Sequence, residues 1–417
     1  MNPRANLGSD IVANGRPYRR PERPAVVICV DGSEPGYIEK AIEAGLAPNL
    51  DRLMRTGTST TAVSVIPSFT NPNNVSIITG RPPAVHGIAG NFFYDREARE
   101  EVMMNEVRFM RADTILAAFQ AVGCRIAMVT AKDKLLTLLG RGLDFAKGTA
   151  IAFSSEKADQ ATKERNGIAD VLSFIGLPLP SVYSAGLSEF VLAAGVKLLK
   201  RFRPDLMYLS TTDYVQHKAV PGSKAANDFY AMLDHYVGEL DASGATLLIT
   251  ADHGMNDKHL PSGEPDVIYL QKLVDGWLGP GKARVILPIT DPYVKHHGAL
   301  GSFATIYLAA SGDRAALIDR LSRLEGIDLV LSAEAACARF ELPPDRIGDV
   351  VVISGRRKVL GTAPERHDLS GLTEPLRSHG GLTEQVVPLI ANRKLEVPQG
   401  RTLRNFDVFD AALNLVP

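Results

Sequence analysis

Three apolar runs, far apart in the chain, each lead into a carboxylate. Residues 25–30 (AVVICV) run into Asp31, residues 206–211 (LMYLST) lead to Asp213, and residues 245–250 (ATLLIT) lead to Asp252. Short continuous apolar runs that stop at turn signals read as strands buried on both faces. A fourth such run, 125–130, follows the break at Val122-Gly123. Helical patterns lie between them at 38–44, 48–56, 113–121, 187–200 and 225–240, and Pro48 suits the first turn of its helix. Strands alternating with helices predict an α/β fold with a mostly parallel central sheet flanked by helices. In such sheets ligands bind outside the carboxyl ends of the strands. Asp31, Asp213 and Asp252 are therefore predicted to converge at one edge.

Beyond Met255 the texture changes to short strands at 266–270, 285–287, 304–308 and 350–354, with a helix at 315–324. This stretch reads as an inserted α+β cap. The predicted organisation is a polar N-terminal tail (1–23), a core built from 24–257 and 376–417, and a cap (258–375). The length of 417 residues, with 45% hydrophobic and 22% charged residues, supplies ample material for such a core. The formal net charge of -1 gives no basic field of the kind that collects nucleic acid. No stretch reads as a membrane span or a secretory signal, so a cytoplasmic protein without nucleic-acid or membrane partners is expected. Cys29, Cys124 and Cys337 form no CxxC pair, which argues against a thiolate metal site and a disulfide framework.

The residues at the predicted strand ends suit a metal. Asp213 and His217 are four apart, a spacing that puts both on one face of a helical turn. Asp252-His253 offers two adjacent ligands before Gly254, and His379 stands before Gly380-Gly381. Each fragment alone reads as structural. Together, each after a buried strand or on a glycine loop, they read as a site for hard or borderline cations.

The ordered set Asp31-Gly32, Pro67-Ser-Phe-Thr70-Asn71-Pro72, Thr79-Gly80-Arg81 with His86-Gly87-Ile88, Asp213-x-x-x-His217, Ala251-Asp252-His253-Gly254-Met255 and His379-Gly380 resembles the alkaline phosphatase superfamily. It is closest to the nucleotide pyrophosphatase/phosphodiesterase branch, and within that range it is similar to members that hydrolyse phosphonoacetate. The resemblance implies an alkaline-phosphatase-like core and two zinc ions (Zn2+) per subunit. Asp31, Thr70, Asp252 and His253 would hold one, and Asp213, His217 and His379 the other. Thr70 would be the nucleophile, activated by coordination because a free threonine hydroxyl is too weak. Asn91, with the Thr70 backbone N–H, would donate to the phosphoryl oxygens. His86 is expected to shape its loop and His235 to be solvated. His296-His297 is expected to be structural or a lid contact, and His259 and His367 are assigned no role.

The expected substrate is a small anionic phosphonate, held by Thr70, Asn91, His217, Lys132 and Lys134. Breaking a C–P bond expels a carbanion, which is prohibitive unless a neighbouring carboxylate spreads the charge. Lys132 and Lys134, just past the strand at 125–130, are the candidates to meet that carboxylate. The implied reaction releases acetate and phosphate through a phosphothreonine on Thr70. A phosphodiester or nucleotide hydrolase is the alternative, for which Phe92-Phe93-Tyr94 is a candidate base-stacking run. A non-catalytic binding protein on the same scaffold is more remote. The assembly is left open, a homodimer included.

Overall fold

The computed structural model describes residues 10–291, 298–310 and 314–417, so His296 and His297 lie outside the described residues. Seven strands make the central sheet: β1 (Ala25–Cys29), β2 (Thr58–Val63), β3 (Ile126–Thr130), β4 (Ala150–Ser154), β5 (Leu206–Ser210), β6 (Thr246–Thr250) and β7 (Val386–Ala391). Their lateral order is β2-β7-β6-β1-β5-β3-β4. The five strands from β6 to β4 pair in parallel, and β7 runs against both of its neighbours. The four strands read from the sequence recur within one residue of their expected ends.

The side-chain period of two splits the core into two layers. Val26 and Ile28 of β1 join an apolar cluster with helices Pro35–Glu43, Gly186–Arg201 and Lys224–Ala242, while Val27 and Cys29 face a second cluster with Ile115–Ala121 and Val408–Asn414. Register then fixes the functional edge. Cys29 pairs with both Thr250 and Ser210, and Ser210 pairs with Thr130. The strand ends are therefore level, and the chain delivers Asp31, Asp252, Asp213 and Lys132 within three residues of that line.

Residues 258–375 contain a separate four-stranded antiparallel sheet, in the order Ala283–Ile286, Phe303–Leu308, Val350–Ser354, Ile327–Ser332. Its apolar cluster extends into the core at Ile66, Phe69 and Ala89. The two connections to it run side by side, Asn256–Asp257 antiparallel to Arg377–Ser378. At the other end of the chain, strands Ile11–Ala13 and Arg16–Tyr18 form a hairpin within the stretch read as a tail. Tyr18 is fully buried, and Arg16 pairs with Asp407 and Asp410 at 2.7 Å each. Cys29 and Cys124 are buried, and all three cysteines are free. Among the described residues no helix is long and apolar enough to cross a membrane.

His86 braces the turn after the helix Thr70–Thr79. Its Nδ1 accepts the Ile88 N–H at 3.1 Å, so its Nε2 carries the proton and faces Ser76 Oγ at 2.8 Å. Burial, then the Arg346 charge, pushes its pKa down from 6.5 to about 3. A folded pKa below the unfolded one means that the stability contribution is complete above the unfolded value. It is lost as pH falls from about 6.5 toward about 3. The expected loss is up to about 1.4 kcal/mol per pH unit. Denaturant unfolding of the wild type and His86→Gln across this window checks it: the wild type should show the steeper decline.

Candidate active site

The site is assembled from five places in the chain. Asp31 follows β1, Asp213 and His217 follow β5, Asp252 and His253 follow β6, His379 stands on the return from residues 258–375, and Thr70 opens the helix Thr70–Thr79. His217 comes from a single turn rather than a regular helix, its N–H donating to the Asp213 carbonyl at 3.0 Å. That turn brings His217 Nε2 to 2.9 Å from Asp213 Oδ2, and His379 Nε2 lies 3.8 Å from the same oxygen. His253 Nε2 lies 3.4 Å from Asp31 Oδ1, 3.3 Å from Thr70 Oγ1 and 3.7 Å from Asp252 Oδ2. The His253 and His379 rings stack at 3.6 Å between centroids, which joins the two halves.

All three imidazoles are turned the same way. His217 Nδ1 meets the Arg377 carbonyl at 2.8 Å, His253 Nδ1 the Gly254 carbonyl at 2.9 Å, and His379 Nδ1 the Ser68 carbonyl at 2.7 Å. A carbonyl only accepts, so each Nδ1 carries a proton and each Nε2 faces the carboxylates. Histidine ligands of metals are oriented by this kind of contact. Burial, with His253 and His217 alongside, holds His379 well below the usual histidine range, so it is neutral.

The carboxylates have the opposite problem. Burial and the charges of Asp213 and Asp252 push the Asp31 carboxyl well above the usual range. Its Oδ1 is buried without a hydrogen-bond partner among the described residues. Two sets of donor atoms, Asp213/His217/His379 and Asp31/Asp213/His253, each gather within 4.8 Å. Crowded carboxylates facing three imidazole Nε2 atoms fit divalent cations of the zinc type. Asp213 belongs to both sets. Asp252 stands slightly apart: its Oδ1 accepts the Gly32 and His253 N–H groups, and its Oδ2 accepts Asn74 Nδ2 at 3.1 Å.

Several residues that hold the site were not visible in the sequence. Asn74 is fully buried and donates to Asp252 and to the Thr70 carbonyl, while its own oxygen accepts Tyr208 OH and Ser210 Oγ. It ties the Thr70 helix to β5 and to the Asp252 turn. Asn73 donates to the carbonyls of Val65, Pro67 and Phe69, and so shapes the loop before Thr70. Gly32 carries a φ of +71°, and a Cβ there would sit 2.9 Å from Asp213 Cβ. Only glycine gives Asp213 that space in that conformation. The Asp-Gly pair was a sequence signal for this; the asparagines offered none beyond their number.

The two lysines diverge. Lys134 forms an ion pair with the buried Asp291 and lies where the charges of Asp213 and Asp31 act on it. Burial, then Lys132, brings its pKa down to about 8, against the charges of Glu156, Asp213 and Asp31, which favour the charged form. Lys132 Nζ reaches the Val182 carbonyl at 3.4 Å and stands 5.6 Å from the Tyr183 ring centre. Asn91 donates from Nδ2 to the Ile289 carbonyl at 3.4 Å, and its Oδ1 is buried without a partner among the described residues. Phe93 is buried in the core, and Phe92 and Tyr94 line a cavity of about 610 Å³ against the strands of 258–375. His235 is exposed, 3.4 Å from Glu239, and His367 is bonded to Thr362 and Gly298.

Sheet order, strand-edge carboxylates and inserted second sheet together define the alkaline-phosphatase-like class of α/β proteins. A model of the type I phosphodiesterase/nucleotide pyrophosphatase family matches residues 25–382, and the chain belongs to that family. Phosphonoacetate hydrolase from Sinorhizobium meliloti, solved in complex with phosphonoacetate and with phosphonoformate, is similar at 58% identity and a TM-score of 0.94. That likeness covers 97% of this chain and 100% of the other. Murine ectonucleotide pyrophosphatase/phosphodiesterase 5 shares the fold, with a TM-score of 0.63 at 17% identity over 95% of this chain and 96% of that one. Ectonucleotide pyrophosphatase/phosphodiesterase 1 of Saccharomyces cerevisiae is 24% identical over 312 residues, 69% of this chain. The chain spans 39% of the length of that curated relative.

Proposed function

We propose that this chain hydrolyses the C–P bond of phosphonoacetate to acetate and phosphate, with Thr70 as nucleophile and two zinc ions as cofactors. The observation that carries the reading is the common orientation of His217, His253 and His379, each held at Nδ1 by a backbone carbonyl with its Nε2 facing Asp31 or Asp213. The likeness to a phosphonoacetate-bound hydrolase over nearly the whole chain supports the choice of substrate. Asp31, Thr70, Asp252 and His253 would hold one zinc and Asp213, His217 and His379 the other, supplying a Lewis acid that makes a hydroxyl nucleophilic near neutral pH.

The remaining work falls to the chain's own groups. Thr70 Oγ attacks phosphorus, forming an O–P bond as the C–P bond breaks. The electron pair leaves on the acetate carbon and spreads into its carboxylate before that carbon takes a proton, which balances the one the Thr70 hydroxyl gives up. Water then cleaves the phosphothreonine, restoring the Thr70 hydroxyl and releasing phosphate. Thr70 opens a helix of ten residues, and the Thr70 and Asn71 N–H groups at its start suit phosphoryl oxygens, Pro72 having none. Asn91 is assigned as a second donor to those oxygens. Lys134 is assigned to meet the carboxylate, where a cation stabilises charge that grows in the transition state, and Lys132 would join it on leaving the Val182 carbonyl. Residues 258–375 act as the cap over this site.

A panel of phosphonoacetate, a nitrophenyl phosphodiester and a nucleotide diester, assayed with zinc-loaded protein, tests the reading. Phosphate release from phosphonoacetate should dominate. Preference for a diester would replace it with the phosphodiesterase reading that the family name favours. Lys134→Ala should lower kcat/KM for phosphonoacetate about 10- to 100-fold, the loss of one charge-assisted contact. It should leave an ester without a carboxylate nearly unaffected, and equal losses on both would remove the lysine from carboxylate recognition.

A further inference from the structure

We propose that Glu384 is a positioning residue that clamps the His253 turn and the His379 loop together. The inference rests on the reading that these histidines bind metal. Glu384 is fully buried, outside both sets of donor atoms, and four donors converge on its carboxylate. Its Oε2 accepts the Gly381 N–H at 2.8 Å, two residues past His379. Its Oε1 accepts Asn256 Nδ2 at 2.6 Å, Thr383 Oγ1 at 2.6 Å and the fully buried Lys258 Nζ at 3.0 Å. Its backbone carbonyl accepts the Gly254 N–H at 2.7 Å, directly beside His253. One residue thus grips both histidine-bearing segments, whose rings stack 3.6 Å apart.

The chemistry requires an ionised carboxylate. Only a carboxylate accepts on both oxygens; a glutamine would present an amide N–H₂ to one of two donor groups and lose that contact. The clamp also spans both junctions of the insertion, since Lys258 begins it and Asn256 pairs with Ser378 on the return strand. Gly380, at φ +115° with its missing Cβ 2.3 Å from the Phe69 ring, lets the loop turn tightly enough for His379 to reach Ser68 and Asp213.

The test compares zinc affinity, measured by chelator competition on the full chain, with thermal stability. Glu384→Gln should weaken zinc binding about 10- to 100-fold, as loss of an orienting contact does, and should lower kcat more than it raises KM. In Glu384→Gln with Lys258→Met, the buried ammonium is gone, so the melting temperature should recover while zinc affinity stays low. Zinc affinity within twofold of wild type in the double variant overturns the proposal. So does a double variant that cannot fold, because Glu384 would then be a folding residue. A wild type that binds no zinc would instead remove the metal reading on which the clamp rests.

Discussion

Thr70→Ala is expected to lower kcat for phosphonoacetate by about four orders of magnitude or more, while the zinc content stays close to wild type. Removal of a nucleophile from a cooperating set costs on this scale. The hydroxyl is singular in its position: Oγ1 lies 3.3 Å from His253 Nε2, at the first residue of its helix. Phe69, one residue earlier, is extended at φ -120° and ψ 157°, so the chain turns into the helix at Thr70 itself. Six side chains remain to hold metal in the variant, three of them imidazoles already locked by backbone carbonyls. Thr70→Ser keeps a hydroxyl on Cβ and should retain measurable turnover. If Thr70→Ala keeps a tenth of the activity, the nucleophile lies elsewhere. If it loses zinc in proportion to activity, the hydroxyl acts chiefly as a ligand.

The core was legible in the sequence because strands buried on both faces must be continuously apolar, and such runs are rare enough to stand out. The strand ends then located three carboxylates without further information, and parallel register made them level. What stayed hidden follows from physics that local pattern does not encode. β2, with the sequence TSTTAV, is mostly solvent-facing at the sheet edge and carries no apolar run. The helix Thr70–Thr79 begins TNPNN, a composition that favours turns. It is a helix because Asn73 and Asn74 spend their side chains on tertiary bonds, which overrides propensity. The KxK spacing at Lys132 and Lys134 brought both near the site, yet a helix start between them sends one toward Tyr183 and the other to Asp291. Asp291 and Glu384 act through contacts with residues more than a hundred positions away, and no spacing rule reaches that far.

Stripping metal with a chelator is expected to abolish turnover, and added zinc to restore it, with a stability difference that grows as pH rises. A ligand bound only by the folded state at a hundredfold excess over its Kd stabilises by about 2.7 kcal/mol. The pH dependence follows from Asp31. In the metal-free protein, burial and the charges of Asp213 and Asp252 raise its folded pKa well above 3.8. A raised carboxyl pKa means that the folded state binds the proton more tightly than the unfolded chain does. The associated stability is present at low pH and is lost as pH climbs from about 4 through the raised value. A bound cation keeps Asp31 ionised and removes that loss. His379 adds no opposing change above about pH 6.5, because burial beside His253 and His217 already keeps it neutral. Melting temperatures of stripped and zinc-loaded protein, compared from about pH 5 to about pH 8, above the ordinary carboxyl range, should therefore diverge with increasing pH. A gap that is constant or narrows would mean that the crowding of Asp31, Asp213 and Asp252 is relieved by something other than the metal, and the two-zinc assignment would fall with it.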